Sequence, residues 1–138
     1  MLLALSSSEF EHAYEEGEQL LRGVTTLACL GDPLALSAFS LVPPLRRSLI
    51  GACTKQSEAM ELLDREVPRV LFTSEPLEQG YGIDLIRNAK SRSNKLICLL
   101  FVRREKEDVV EEAMDAGADG CMFVSSLDGM GIVTSCEL

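Results

Sequence analysis

The run Leu96–Val102, LICLLFV, is apolar from end to end and shows no alternation. A strand with one wet face carries a polar residue at every second position. An unbroken run therefore means burial on both faces, as in a parallel sheet held between helices. Mostly apolar runs recur at Val24–Leu30 (VTTLACL), near Leu49–Cys53, near Arg69–Thr73 and at Cys121–Val124. Amphipathic segments of helix length separate them. They start at Pro33, run near Ser57–Arg65, lead from the Gly80 and Gly82 loop to about Lys90, and span about Glu105 to Ala116. Five strands alternating with helices predict an α/β domain with a parallel sheet covered on both faces.

Local signals set the joints. Gly31-Asp32-Pro33 supplies an N-cap aspartate followed by proline at the first helical position. That helix is expected to end at Pro43-Pro44, because two prolines cannot continue it. In sheets of this kind reactive groups gather beyond the carboxyl ends of the strands, at the switch point in strand order. The residues so placed are Gly31-Asp32, Thr73-Ser74-Glu75, Val102-Arg103 and Val124-Ser125.

Composition narrows the function classes. The chain has 138 residues and 46% hydrophobic content, enough for one domain that buries roughly two thirds of its extended-chain surface. A net charge of -9, with basic residues only in scattered pairs such as Arg46-Arg47 and Arg103-Arg104, argues against a nucleic-acid surface. Met1–Leu5 is too short for a secretory h-region, and LICLLFV falls far below a membrane span, so a cytoplasmic protein without a membrane partner is expected. Five cysteines form no CxxC pair. Cys29, Cys53, Cys98 and Cys121 sit in apolar runs and read as buried reduced thiols, while Cys136 lies in the tail. The lone His12 has no second imidazole beside it, so no metal and no cofactor are predicted.

Two segments flank the core of residues 24–124. Residues 1–23 carry a Ser8-x-x-Glu11 capping box and then Phe10, Ala13, Tyr14, Gly17, Leu20 and Leu21 on one face at helical spacing. This N-terminal amphipathic helix is expected to pack through Phe10, Tyr14, Leu20 and Leu21 on the sheet of its own domain or of a symmetry mate. Residues 125–138 form a glycine-rich tail, too short for a last helix of normal length.

The order and spacing of four signatures carry a resemblance. They are Leu30-Gly31-Asp32-Pro33-Leu34, LIGACTKQSEAMELL (49 to 63), LFTSEPLEQGYGIDLI (71 to 86) and AGADGCMF (116 to 123), the last a helix-to-strand joint. Over roughly residues 24 to 124 the chain resembles receiver domains of two-component response regulators, particularly the LuxR/NarL type. The resemblance implies a flavodoxin-like (CheY-like) five-stranded parallel sheet in the order 2-1-3-4-5. To this the chain adds an extra N-terminal helix, with the last helix shortened or absent.

Active receivers use a first-strand acidic pair for Mg²⁺, an aspartate at the third strand end, Thr or Ser at the fourth and Lys at the fifth. The resemblance puts Gly31-Asp32 at the acidic pair. Counting back eight positions from Gly82 puts Ser74 at the phosphoacceptor position, with Val102 at the hydroxyl position, Val124 at the lysine position and Cys121 at the aromatic switch position. Asp32 alone offers too little charge for a dehydrated Mg²⁺. Serine without an adjacent base is a poor nucleophile, and valines can neither stabilise a transferring phosphoryl group nor hydrogen-bond the product. A loop shorter by one residue would bring Glu75 to the acceptor position as a fixed negative charge. The eight-residue spacing fits without a gap and leaves Glu75 as a solvated loop residue.

The leading expectation is a pseudo-receiver that works by docking a protein partner or by homodimerisation. A second reading keeps the fold but lets the neutralised pocket hold a small molecule or anion, with Val102 and Val124 as walls and Thr73, Ser74 and Ser125 offering hydroxyls. An enzyme ranks third, because no nucleophile–base pair, metal cluster or Gly-rich phosphate loop is visible. Longer relatives carry a helix-turn-helix domain after the receiver. No such domain follows here, so direct nucleic-acid binding is not expected unless the chain is a fragment of a longer product.

Overall fold

The computed structural model describes residues 23–103, 108–124 and 133–137. Along the chain come β1 (Thr26–Cys29), α1 (Pro33–Ser40), α2 (Pro43–Ser48), β2 (Leu49–Cys53), α3 (Gln56–Arg65) and β3 (Val70–Ser74). They are followed by α4 (Gly82–Arg92), β4 (Ile97–Arg103), α5 (Val109–Ala116), β5 (Gly120–Val124) and β6 (Val133–Glu137). The strands lie in the order β2-β1-β3-β4-β5-β6, and the first five run parallel. The expected order 2-1-3-4-5 is therefore present, with its switch point between β1 and β3.

Two elements depart from the sequence reading. Pro43 and Pro44 do more than stop α1, since they occupy the first positions of α2, where the missing N–H has no helical partner to lose. The tail also contains more than a coil, because β6 runs antiparallel to β5 and pairs Cys121 with Glu137 and Val124 with Val133. A strand of five residues that begins Val-Thr is a weak signal, and the glycines before it hid the element.

The two faces of the sheet are covered unequally. On one, α3, α4 and α5 bury Ala59, Leu63, Leu85, Ile86 and Ala113 against Leu27, Leu71 and Leu100. On the other, α1 and α2 bring Phe39 and Leu45 over Val70 and Phe72, and Leu99, Phe101 and Met122 stay half-buried beside them. Phe39 meets Phe72 edge-on at 5.1 Å and Phe101 edge-on at 5.4 Å, a favoured geometry for aromatic rings.

The Ala-Gly-Ala-Asp-Gly joint has a specific physical job at each residue. Gly117 takes φ +113 and closes α5, donating its N–H to the Met114 carbonyl at 3.1 Å while Ala118 donates to Ala113 at 3.0 Å. This pair of bonds is a Schellman cap, which favours glycine at the left-handed position. Asp119 then anchors the start of β5. Its Oδ2 accepts the Cys98 N–H at 2.8 Å and the Lys90 ammonium at 2.7 Å, tying β5 to β4 and α4.

Candidate functional site

The carboxyl ends of β1 and β3 bring Gly31 and Ser74 together beside the loop 75–81, with Asp32 and Glu75 next to them in sequence. Asp32 caps α1, its Oδ1 accepting the Leu34 N–H at 2.9 Å. An aspartate at this place satisfies one of the unpaired amides of the first turn. Ser74, the last residue of β3, uses its Oγ to accept the Gly31 N–H at 3.0 Å, and the same hydroxyl lies 3.5 Å from the Pro76 carbonyl. Its lone pair is thus already engaged within the chain.

Gly31 and Gly82 mark close backbone approaches. A Cβ on Gly31 would stand 2.3 Å from the Pro76 carbonyl oxygen, and one on Gly82 would stand 2.2 Å from the Ser74 carbonyl oxygen. Both obstacles are backbone atoms, which cannot swing aside as a flexible side chain could. The volume into which a side chain at position 31 would project is filled by the loop after β3.

That loop is stapled in place by the corner between β2 and α3. Glu78 donates its N–H to Thr54 at 2.9 Å and Gln56 donates to the Gln79 carbonyl at 2.8 Å. The amide side chains return the contact, with Gln79 Oε1 accepting from Ser57 N–H and Gln56 Oε1 from Tyr81 N–H, each at 3.1 Å. Leu77 is buried beneath, at 9% exposure. A Lys55–Glu78 ion pair at 3.9 Å adds little, since both ends are half-exposed. None of these polar residues announced the staple in the sequence, where the only local signal was the Gly80 and Gly82 pair.

Glu75 turns away from this cluster. Its Oε2 accepts the Ile83 N–H at 2.9 Å, so it serves α4 as a cap from outside the helix and is half-buried rather than a solvated loop residue. Burial raises its carboxyl above the ordinary value. The Ile83 N–H opposes the rise, while Glu112 and Asp84 add to it. A Glu75→Gln variant keeps an acceptor for Ile83 and loses the buried charge, whereas Glu75→Ala leaves the amide without a partner at a cost of about 1 kcal/mol. A carboxyl raised in the fold gives stability at low pH that is lost as pH rises through the folded-state value. Urea unfolding of the parent and E75Q at acid and neutral pH should therefore show the parent losing ground as pH rises. An identical pH dependence would contradict the burial argument.

Val102 and Val124 lie at the carboxyl ends of the neighbouring strands β4 and β5. Val102 is buried at 2% exposure among Leu100 and the α4–α5 layer, and the β5 backbone places Val124 opposite Arg103 and Val133. Thr73, one of the hydroxyls considered for a ligand pocket, is fully buried, and its Oγ1 has no hydrogen-bond partner. Ser125, Phe10, Tyr14, Leu20 and Leu21 lie outside the described residues. Cys29, Cys53, Cys98 and Cys121 are all buried, as their apolar surroundings in the sequence led one to expect. Burial pushes the Cys98 thiol up to about 12. Among the described residues no group of three or more His, Cys, Asp or Glu side chains could hold a metal ion, and no helix is long and apolar enough to cross a membrane.

A parallel sheet in the order 2-1-3-4-5, with three helices on one face and its polar cluster at the β1–β3 switch point, is the receiver fold of response regulators. Solved structures of that class match it. A LuxR-family two-component response regulator from an Aurantimonas species superposes with a TM-score of 0.64 at 19% identity, over 75% of this chain and 76% of its own. A LuxR-family DNA-binding response regulator from Staphylococcus aureus gives 0.66 at 11% identity, over 72% and 85%. The signal receiver domain of an HD domain-containing protein from Pseudomonas fluorescens gives 0.62 at 16% identity, over 72% and 75%. No protein-family model matches the chain, and no curated protein matches it by sequence. At such identities the likeness establishes the fold.

Proposed function

We propose that the chain is a pseudo-receiver, a signalling domain that has kept the receiver scaffold and acts through contact with a protein partner or a second copy of itself. One observation carries this reading. The Pro76 carbonyl fills the space a carboxylate at position 31 would need, and the Ser74 hydroxyl is bound to Gly31. Mg²⁺ asks for anchoring carboxylates, and Asp32 is committed to capping α1. Glu75 is committed to α4, which weighs against a permanent mimic of the phosphorylated state. The burial of Thr73 and the engagement of Ser74 likewise favour docking over a small-molecule pocket. The reading includes a cytoplasmic location, no catalytic turnover and no direct nucleic-acid binding by this acidic chain, whose net charge is -9.

Incubation with Mg²⁺ and acetyl phosphate, followed by intact-mass measurement, tests the chemistry. The expected result is an unchanged mass, together with an unchanged melting temperature in beryllofluoride. A stoichiometric phosphoryl adduct on Ser74 or Glu75 would overturn the reading.

A further inference from the structure

The register of the edge strand sets Cys53 of β2 directly opposite Cys29 of β1. Directly opposed residues in parallel strands place their side chains on one face, with Cα atoms about 4.8 Å apart, inside the range a disulfide spans. The Cys53 side chain reaches back to β1, and the Cys29 side chain reaches the turn after β2. Cys29 Sγ donates to the Lys55 carbonyl at 3.6 Å and Cys53 Sγ to the Ala28 carbonyl at 3.8 Å. Both belong to the layer under α3 and α4, at 0% and 7% exposure, so bulky reagents are kept out while the 7% at Cys53 leaves a small oxidant an approach.

We propose that Cys29 and Cys53 form an oxidisable pair that a small peroxide converts to a disulfide. Cys53 is the attacking sulfur, since of the two it is the one that solvent reaches. Its thiolate takes one peroxide oxygen to give a sulfenic acid, and the other oxygen leaves as water after protonation. The Cys29 sulfur then attacks the Cys53 sulfur, its proton goes to the departing hydroxyl, and a second water leaves. Two thiols and one hydrogen peroxide become one disulfide and two waters. Because β2 is the edge strand, it can move the small amount that the bond requires, and a cross-link under some strain is of the readily reduced, regulatory kind. Closure abolishes both thiol-to-carbonyl bonds and pulls on Thr54–Gln56, the corner that staples the loop over Gly31. Oxidation would thus reach the loop that covers Gly31 and Ser74.

The reduced full chain, treated with hydrogen peroxide and mapped by non-reducing proteolysis, gives the test. The expected product has lost two hydrogens, joins the Cys29 peptide to the Cys53 peptide, and reverts under dithiothreitol. Cys98→Ala retains the cross-link and Cys53→Ala abolishes it, with bulky native alkylation slow at both cysteines in the reduced parent. Because the mapping is made on the parent, a poorly folded variant leaves the result standing. Oxygen additions without that link, a link through another cysteine, or two unmodified thiols after treatment would each overturn the proposal.

Discussion

A Gly31→Asp variant is expected to lose about 3 kcal/mol of stability and to melt about 10 °C lower than the parent. The new Cβ would lie 2.3 Å from the Pro76 carbonyl oxygen and 3.0 Å from the Leu77 Cα, so the loop must lift before the side chain fits. Lifting it breaks the Glu78–Thr54 and Gln56–Gln79 bonds and begins to expose Leu77. Gly31→Ala separates sterics from charge and should carry most of the same loss. Gly82→Ala probes the neighbouring approach, where the Cβ meets the Ser74 carbonyl oxygen at 2.2 Å, and should behave alike. Gly31→Asp combined with Ser74→Asp restores two acidic side chains on paper. The pair should still fail to bind Mg²⁺ tightly while the loop remains stapled. Thermal melts settle the matter, because a Gly31→Asp protein that melts within a degree or two of the parent would mean that the loop yields freely and that occlusion explains nothing.

The fold was legible in the sequence wherever one local rule decided it. LICLLFV could only be a strand, although just one face of it is fully buried while Ile97 is exposed and Leu99 and Phe101 are half-buried on the other, and Asp32-Pro33 could open a helix with side chain and ring alike. Where two rules competed, the reading failed. Pro43-Pro44 stops one helix and starts the next, and only the first half was seen. Val133–Glu137 pairs with β5, but its stability comes from a partner distant in sequence and its own pattern is too short to announce it.

The site divides along the same line. That Gly31 and Ser74 face each other follows from strand order, which the family resemblance supplied. The identity of what fills the space between them does not, because the Pro76 carbonyl reaches it through a loop held by Gln56 and Gln79, polar residues with no periodicity to read. Glu75 escaped for the same reason, its role being fixed by the Ile83 amide eight residues on. The opposition of Cys29 and Cys53 depends on the register between β1 and β2, which a run as short as Leu49–Cys53 does not announce.

Deleting residues 1–22 should lower the melting temperature by more than 10 °C or change the oligomeric state in solution. The uneven cover of the sheet is the reason. Val24, Phe39, Val42, Leu99, Phe101 and Met122 remain half-buried around Leu45, Val70 and Phe72, and α1 and α2 are the described helices on that face. The chain reaches β1 through Gly23, whose φ of +74 permits a sharp change of direction just before the sheet. A segment that arrives there with Phe10, Tyr14, Leu20 and Leu21 at helical spacing has an apolar stripe to bury and a partly covered face beside it. Each of those side chains contributes about 1.5 to 3 kcal/mol when fully buried, an upper value because the unfolded chain already hides some of its surface. Even half of that sum exceeds the margin by which most domains of this size stay folded above 50 °C or so. Light scattering distinguishes the two placements, since packing on its own domain leaves the parent monomeric, and packing on a two-fold mate makes the parent a dimer that the deletion dissolves. A deleted protein with the parent's melting temperature and the parent's oligomeric state would show that the acidic stripe of Glu9, Glu11, Glu15, Glu16 and Glu18 keeps the segment in water, and would leave the half-covered face to a different partner.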